Sequence, residues 1–295
     1  MDTLTHAVRF DHHLDAARPF NVRCTQYRRP TPAFSADSHY DLQIGVVLRG
    51  CEEIAYANHR LSAGPGQVWL TSCWEPHATR LTKPSKRIVI TISPEFIGHA
   101  APFGEVDWLA PFFAPPAERP RVGPPALARQ VIRIGEMIFQ AARTNPPARG
   151  QRSLLWLKIH ELLLLLIANW HRPAGRPETA PRLQNLQRIV PALKRLKSQP
   201  AARYRLSEAA RDCGLSPSRF RCVFSRTMGL NFRQFALQAR LSRAAWLLRS
   251  TGEPIKRIGL DCGFTNLQHF YHVFTNHFHC APSQYRDQAM VSARR

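Results

Sequence analysis

One pattern is written twice in the last third of the chain. Leu206, Ala209, Asp212, Cys213, Gly214 and Leu215 recur 49 positions on as Ile255, Ile258, Asp261, Cys262, Gly263 and Phe264. Ser216, Phe220, Val223, Phe224, Gln234 and Phe235 recur 50 positions on as Asn266, Phe270, Val273, Phe274, Gln284 and Tyr285. A duplication of this length demands two like supersecondary units. Each reads as a short helix, a glycine turn and a second, capped helix. Gly214 and Gly263 can take the left-handed conformation that closes a helix; Ser216 and Asn266 can cap the next, with Pro217 in its first turn. Phe220, Val223 and Phe224, and likewise Phe270, Val273 and Phe274, form an i, i+3, i+4 core stripe that leaves the opposite face free. The helix predicted between the copies, 232–249, is about 27 Å long at 1.5 Å per residue. That is close to the roughly 34 Å of one B-DNA turn, so it could hold two recognition helices in successive major grooves.

Charge singles out the same region. The chain of 295 residues has 41 Lys and Arg against 20 Asp and Glu, and residues 182–295 hold 20 of the basic residues but only 5 of the acidic ones. Such an excess needs a polyanionic partner or a role in solubility. Helical periodicity predicts seven helices here, over 186–197, 206–213, 218–228, 232–249, 255–262, 267–278 and 283–288.

The rest is built differently. Short alternating or β-branched segments over 18–98, among them 42–48, 64–70 and 87–92, are separated by turn formers and predict a small antiparallel barrel or sandwich. The Pro-rich stretch 102–125 reads as a wrapping loop. Helices are expected over 126–143 and 153–170, the second apolar nearly all round, and 171–182 has the Pro, Gly and charge of a linker. The predicted organisation is a first domain over 1–175, a linker over 176–184, a helical domain over 185–290 and a tail over 291–295. Seven cysteines without a C-x-x-C pair suit a reducing compartment. No secretory signal is visible, and the longest apolar run, 162–168, is too short for a membrane span. A cytoplasmic protein without membrane contact is expected.

Arg240, Ala244, Leu247 and Leu248, then IKRIGLDCGF over 255–264, Phe270, Phe274 and the ending APSQYR over 281–286, make residues 185–288 resemble the DNA-binding domain of AraC/XylS-type bacterial transcription regulators. Gly259 departs from the family's usual alanine and His279 from its usual glycine. By position in that pattern, the resemblance implies DNA contacts from Ser218, Arg219, Arg221, Cys222, Ser225 and Arg226 in the first recognition helix. In the second it implies Gln268, His269, Tyr271 and His272. Arg221 suits bidentate pairing with guanine, whereas Arg226, Arg233 and Arg243 suit phosphate contact or plain solvation.

Residues 38–77 resemble, more weakly, the cupin-type barrel that senses ligands in the same family. The fold class implied is a two-domain α+β chain: a cupin-like antiparallel β-barrel with appended helices, then an all-α domain with two helix-turn-helix units. His39, Tyr40, Tyr56, Trp69, Trp74 and His77 are the candidate contacts for a small organic effector. His39, Asp41 and His77 form a two-histidine, one-carboxylate set, which keeps a cupin-like metalloenzyme fused to a DNA-binding module as the alternative. The spacing of two-motif cupin enzymes is absent, so the expectation is no metal, no cofactor and no catalysis. The resemblance further implies RNA polymerase as a partner and a homodimer formed through the helices at 126–143 and 153–170, although burial within one chain would explain those helices equally.

Overall fold

The computed structural model describes residues 12–31, 33–97, 106–144, 148–171 and 182–293. Eight strands form two antiparallel sheets: β1 (Phe20–Tyr27), β8 (Ser85–Ile92), β3 (Leu42–Arg49) and β6 (Val68–Thr71) in that order, and β2 (Ser35–Asp37), β7 (His77–Leu81), β4 (Glu52–Tyr56) and β5 (Arg60–Ala63) in the other. The expected barrel is thus a pair of four-stranded sheets.

Alternation along the strands explains why β3 is buried on both faces. Leu42, Ile44, Val46 and Leu48, with Ile88, Ile90 and Ile92, belong to one core with Val131, Ile134 and Ile138 of α2 (Pro125–Arg143) and Ile159, Leu162 and Leu163 of α3 (Gln151–Ala168). Val47, Trp69 and Val89 of that sheet meet Ile54, Tyr56 and Ala63 of the other. The segment expected as a loop before α2 contains a helical turn, α1 (Ala110–Phe113), and a 3-10 turn, Pro116–Glu118. Phe112 is fully buried there, so apolar contact folds what the proline content alone reads as irregular. Residues 102–105 lie outside the described residues, as do 172–181 of the expected linker.

The helical half contains α4 (Arg182–Ser198), α5 (Leu206–Asp212), α6 (Pro217–Met228), α7 (Phe232–Ser250), α8 (Ile255–Asp261), α9 (Leu267–Phe278) and α10 (Pro282–Ala293). Two bounds here differ from expectation by more than one residue. Helix α4 begins three residues before the expected domain start at 185, and α10 runs past 288 into the expected tail. Polar composition marks a helix end poorly when no glycine or proline stops the backbone. Gly214 and Gly263 do take positive φ, +63° and +79°, at the turns. Ser216 and Asn266 accept the Arg219 and His269 backbone N–H at 3.3 and 3.0 Å.

The halves touch at named points. Ser38 Oγ lies 2.6 Å from Ser242 Oγ of α7, both buried. Gln187 of α4 donates to the Glu95 carbonyl at 3.0 Å, and the Lys197 ammonium sits 5.3 Å from the Tyr40 ring centroid.

Candidate nucleic-acid interface and ligand-binding interior

In α6 the core face takes Phe220, Val223, Phe224, Thr227 and Met228. Ser218, Arg219, Arg221 and Arg226 are exposed, while Cys222 and Ser225 are half-buried at the edge of that face. In α9 Phe270 and Phe274 are buried, and Gln268, His269, Tyr271 and His272 are exposed. Arg233 is exposed at the start of α7. The exposed residues on each second helix lie opposite the buried aromatics, the arrangement needed to present side chains to a groove. Asn276, one turn on from His272, has its Nδ2 3.0 Å from His272 Nε2, an orienting contact that sequence reading missed. Helix α7, at 19 residues, spans about 28 Å between the units.

The two departures from the usual pattern have local accounts. A Cβ on Gly259 would stand 3.2 Å from Phe270 Cδ1, so the missing methyl makes room for that ring. His279 closes α9 at φ +57°, where Gly229 closes α6 at +70°. The first position relieves packing; the second holds a side chain in a conformation that ordinarily favours glycine.

Between the sheets, buried polar groups accompany the apolar cluster. Gln43 donates to Thr91 Oγ1 at 3.4 Å, Trp69 Nε1 donates to Glu52 Oε2 at 3.0 Å, and Glu52 pairs with Arg87, all buried. The six residues expected to contact an effector fall into two groups. Tyr56, Trp69 and His77 face the space between the sheets, with the Trp69 and His77 rings 6.0 Å apart, and His39 lies 5.4 Å from His77. Tyr40 and Trp74 instead pack in the other core, 5.7 Å apart, and Tyr40 donates to Glu95 Oε1 at 2.7 Å. Tyr40 follows His39 in the short connection between β2 and β3 and turns into that core.

The carboxylate that joins the two histidines is Asp37, not Asp41. Asp37, His39 and His77 can each offer a ligand atom, all within 4.8 Å of one another. Asp37 is the cross-strand partner of His77 in the β2–β7 ladder, and His39 follows two residues on. Sequence spacing treats Asp37 and Asp41 alike, each two residues from His39. The strand pairing that separates them is not local information. Both imidazoles are held from behind: His39 Nδ1 donates to the Asp41 carbonyl at 2.7 Å and His77 Nδ1 to the Glu75 carbonyl at 3.0 Å. Burial, opposed by the Asp37 charge, keeps the pKa of His39 below the ordinary imidazole value.

Residues 209–288 match the family described as a helix-turn-helix domain. The chain is 26% identical over 168 residues to the HTH-type transcriptional activator RhaR of Mannheimia succiniciproducens, covering 57% of this chain and 58% of that one. It is 30% identical over 100 residues to an uncharacterized HTH-type transcriptional regulator of Haemophilus influenzae, 34% of each chain. The match thus spans less than two thirds of these relatives' length. A crystal structure of ToxT from Vibrio cholerae superposes with a TM-score of 0.54 at 15% identity over 91% of this chain and 98% of that one. ToxT bound to (E)-4-(8-methylnaphthalen-1-yl)but-3-enoic acid gives 0.51 at 15%, over 92% and 99%. The β-rich first half followed by a helical second half is therefore a fold shared with ToxT. Among the described residues, no helix is long and apolar enough to cross a membrane.

Proposed function

The helical domain of this chain is of the AraC/XylS type, and from that premise we propose that the protein is a sequence-specific, cytoplasmic transcription regulator controlled by a small organic effector. The observation that carries this reading is the duplicated unit itself: two capped second helices, each with buried aromatics on one side and exposed Arg, Gln, His, Ser or Tyr on the other. We divide it into a sensing domain to about residue 175 and a DNA-binding domain over 185–290. Ser218, Arg219, Arg221, Gln268, His269, Tyr271 and His272 read bases, with Arg226 and Arg233 on phosphates and Cys222 and Ser225 at the margin. The effector site lies between the sheets, at Tyr56, Trp69 and His77 beside the buried Glu52 and Arg87. Tyr40 and Trp74 act behind it. The ligand named with ToxT, an aromatic carboxylic acid, shows the chemical class that a regulator of this fold can bind.

Leu154, Leu157 and Leu164 on α3 are 49, 59 and 46% exposed, although the same helix buries Leu155, Ile159 and Leu162. A second copy covering that leucine face would give the homodimer, and with it two DNA-binding domains on repeated half-sites. RNA polymerase is the expected partner of a promoter-bound regulator. The test is genome-wide mapping of bound sites with and without candidate metabolites. Discrete sites whose occupancy follows one metabolite are expected. Uniform occupancy would end the reading, and turnover of the metabolite by the purified protein would favour the metalloenzyme alternative.

A further inference from the structure

Asp37, His39 and His77 together have the attributes of a metal site, whereas the regulator reading uses His77 alone, as an effector contact. We propose that they bind one divalent transition-metal ion, and that the ion braces the seam between the β-domain and the DNA-binding domain.

The donor set comes first. Both Nδ1 atoms face backbone carbonyls, which can only accept, so each neutral ring carries its proton there and turns the Nε2 lone pair the other way. This back-side hydrogen bond is what orients histidine ligands in metalloproteins. His39 is 1% exposed, and its Nε2 makes no hydrogen bond of good geometry among the described residues, the Gln43 side chain being the polar group near enough to interact with the ring. A buried imidazole nitrogen without a partner costs stability that a ligand recovers. The Asp37 carboxylate adds an oxygen and a negative charge. Two imidazoles and a carboxylate suit zinc, iron(II), cobalt(II) or nickel(II) rather than calcium or magnesium. Ligand atoms around a tetrahedral ion at about 2.0 Å stand roughly 3.3 Å apart. Separations within 4.8 Å need only side-chain rotation to close. The His12 ring lies edge-on 4.9 Å from His39, beside the group of three rather than in it.

The place in the fold comes second. Ser38, between two of the ligands, meets Ser242 of α7 at 2.6 Å, and the Asp37 charge reaches Tyr285 of α10, adding to the burial that pushes that phenol up to about 12. Drawing Asp37 and His39 onto one ion fixes the backbone that carries the Ser38 hydroxyl. An ion here is therefore felt at the DNA-binding domain without touching DNA.

The experiment uses the purified full chain, stripped with chelator and titrated with cobalt(II) alone, then zinc(II). Expected are one ion per chain, a ligand-field spectrum without a thiolate-to-cobalt charge-transfer band, and at least about tenfold weaker binding in both His77→Gln and Asp37→Asn. His59→Ala should bind as the wild type does. Asp37 is half-exposed and its substitution isosteric, so Asp37→Asn keeps the test sound if His77→Gln fails to fold. Absence of stoichiometric binding, a thiolate band, or undiminished binding in Asp37→Asn overturns the site. Hydrogen exchange with and without zinc tests the brace: slower exchange is expected in 37–41 and around Ser242, and an effect confined to 37–41 and 77 overturns it. No DNA enters these measurements, so a chain that binds its operator but no metal refutes this inference alone.

Discussion

The first helix-turn-helix unit sets Phe220, Val223 and Phe224 into a core continuous through α4 with the apolar face of the β-domain, whereas the second gathers Phe264, Phe270, Phe274 and Tyr285 into a cluster of its own. The matched aspartates repeat the contrast. Asp212 accepts from Arg195 of α4 at 2.9 Å and from the Tyr204 hydroxyl at 2.6 Å, whereas among the described residues Asp261 pairs along its own helix, with Arg257 at 3.1 Å. Duplicated sequence has thus given two similar surfaces with different supports. Anything that shifts the β-domain reaches the first unit through shared packing and the second through α7 and its contact at Ser38. A regulator needs such a difference, because an effector can act only by favouring one arrangement of the two reading helices over another.

The largest test removes an aromatic anchor from each unit. Phe220→Ala and Phe270→Ala should each cost about 3 to 5 kcal/mol. Hydrogen exchange should show Phe270→Ala loosening α8 to α10 and the end of α7 that packs on them, and Phe220→Ala loosening α4 and the β-domain with α6. Matching, local damage from both would erase the distinction between the cores.

Acid should separate the units next. Burial, with the nearby charge of His279 adding, pushes the pKa of His277 in α9 down to about 4. Its counterpart in α6 is Thr227, which donates to the Val223 carbonyl at 2.7 Å and does not titrate in this range. Between pH 6.5 and 4 the unfolded state binds more protons at this histidine than the folded state does. Stability of the second unit should therefore fall as pH falls through that window, by up to about 3 kcal/mol. His277→Thr should flatten this part of the profile in denaturant unfolding followed against pH.

On DNA, Arg221→Ala should cost about 1 to 3 kcal/mol and relax preference at one base position, while Arg233→Ala should weaken every sequence alike. Binding to a set of single-base operator variants reads both. Tyr271 occupies the position of Arg221 in the second copy, so Tyr271→Ala should relax preference in the other half of the site. The smallest effect concerns the helix ends. His279→Gly should stabilise the second unit by about 0.5 to 1 kcal/mol by relieving a positive φ, and Gly229→His should destabilise the first, both measurable by thermal unfolding.

Much of the helical half was legible because its signals are local. Gly214 and Gly263 stop helices, Ser216 and Asn266 start them, and the spaced aromatics fix which face is buried; α9 falls on the expected residues. Cys222 and Ser225, expected among the reading residues, lie half-buried because a helix of 12 residues has margins that a pattern of positions does not resolve. The β-domain was legible as a class only. Which of Asp37 and Asp41 joins the histidines depends on where β2 ends and on its pairing with β7. Strand alternation sends the isoleucines of β8 toward α2 and α3 and leaves Arg87, Val89 and Thr91 facing the other sheet, a division that needs the observed pairing to be read. The turn at Ala110–Phe113 was hidden by its prolines.

The account rests on sequence-specific DNA binding by the duplicated unit, and competition of a mapped operator against random duplex at several salt concentrations tests it most directly. The operator should bind about 10³ or more tighter than random DNA. With about 6 to 10 phosphate contacts, affinity should fall by about 10³ to 10⁵ between roughly 50 and 200 mM salt. Equal affinity for both duplexes, or affinity nearly independent of salt, would contradict it.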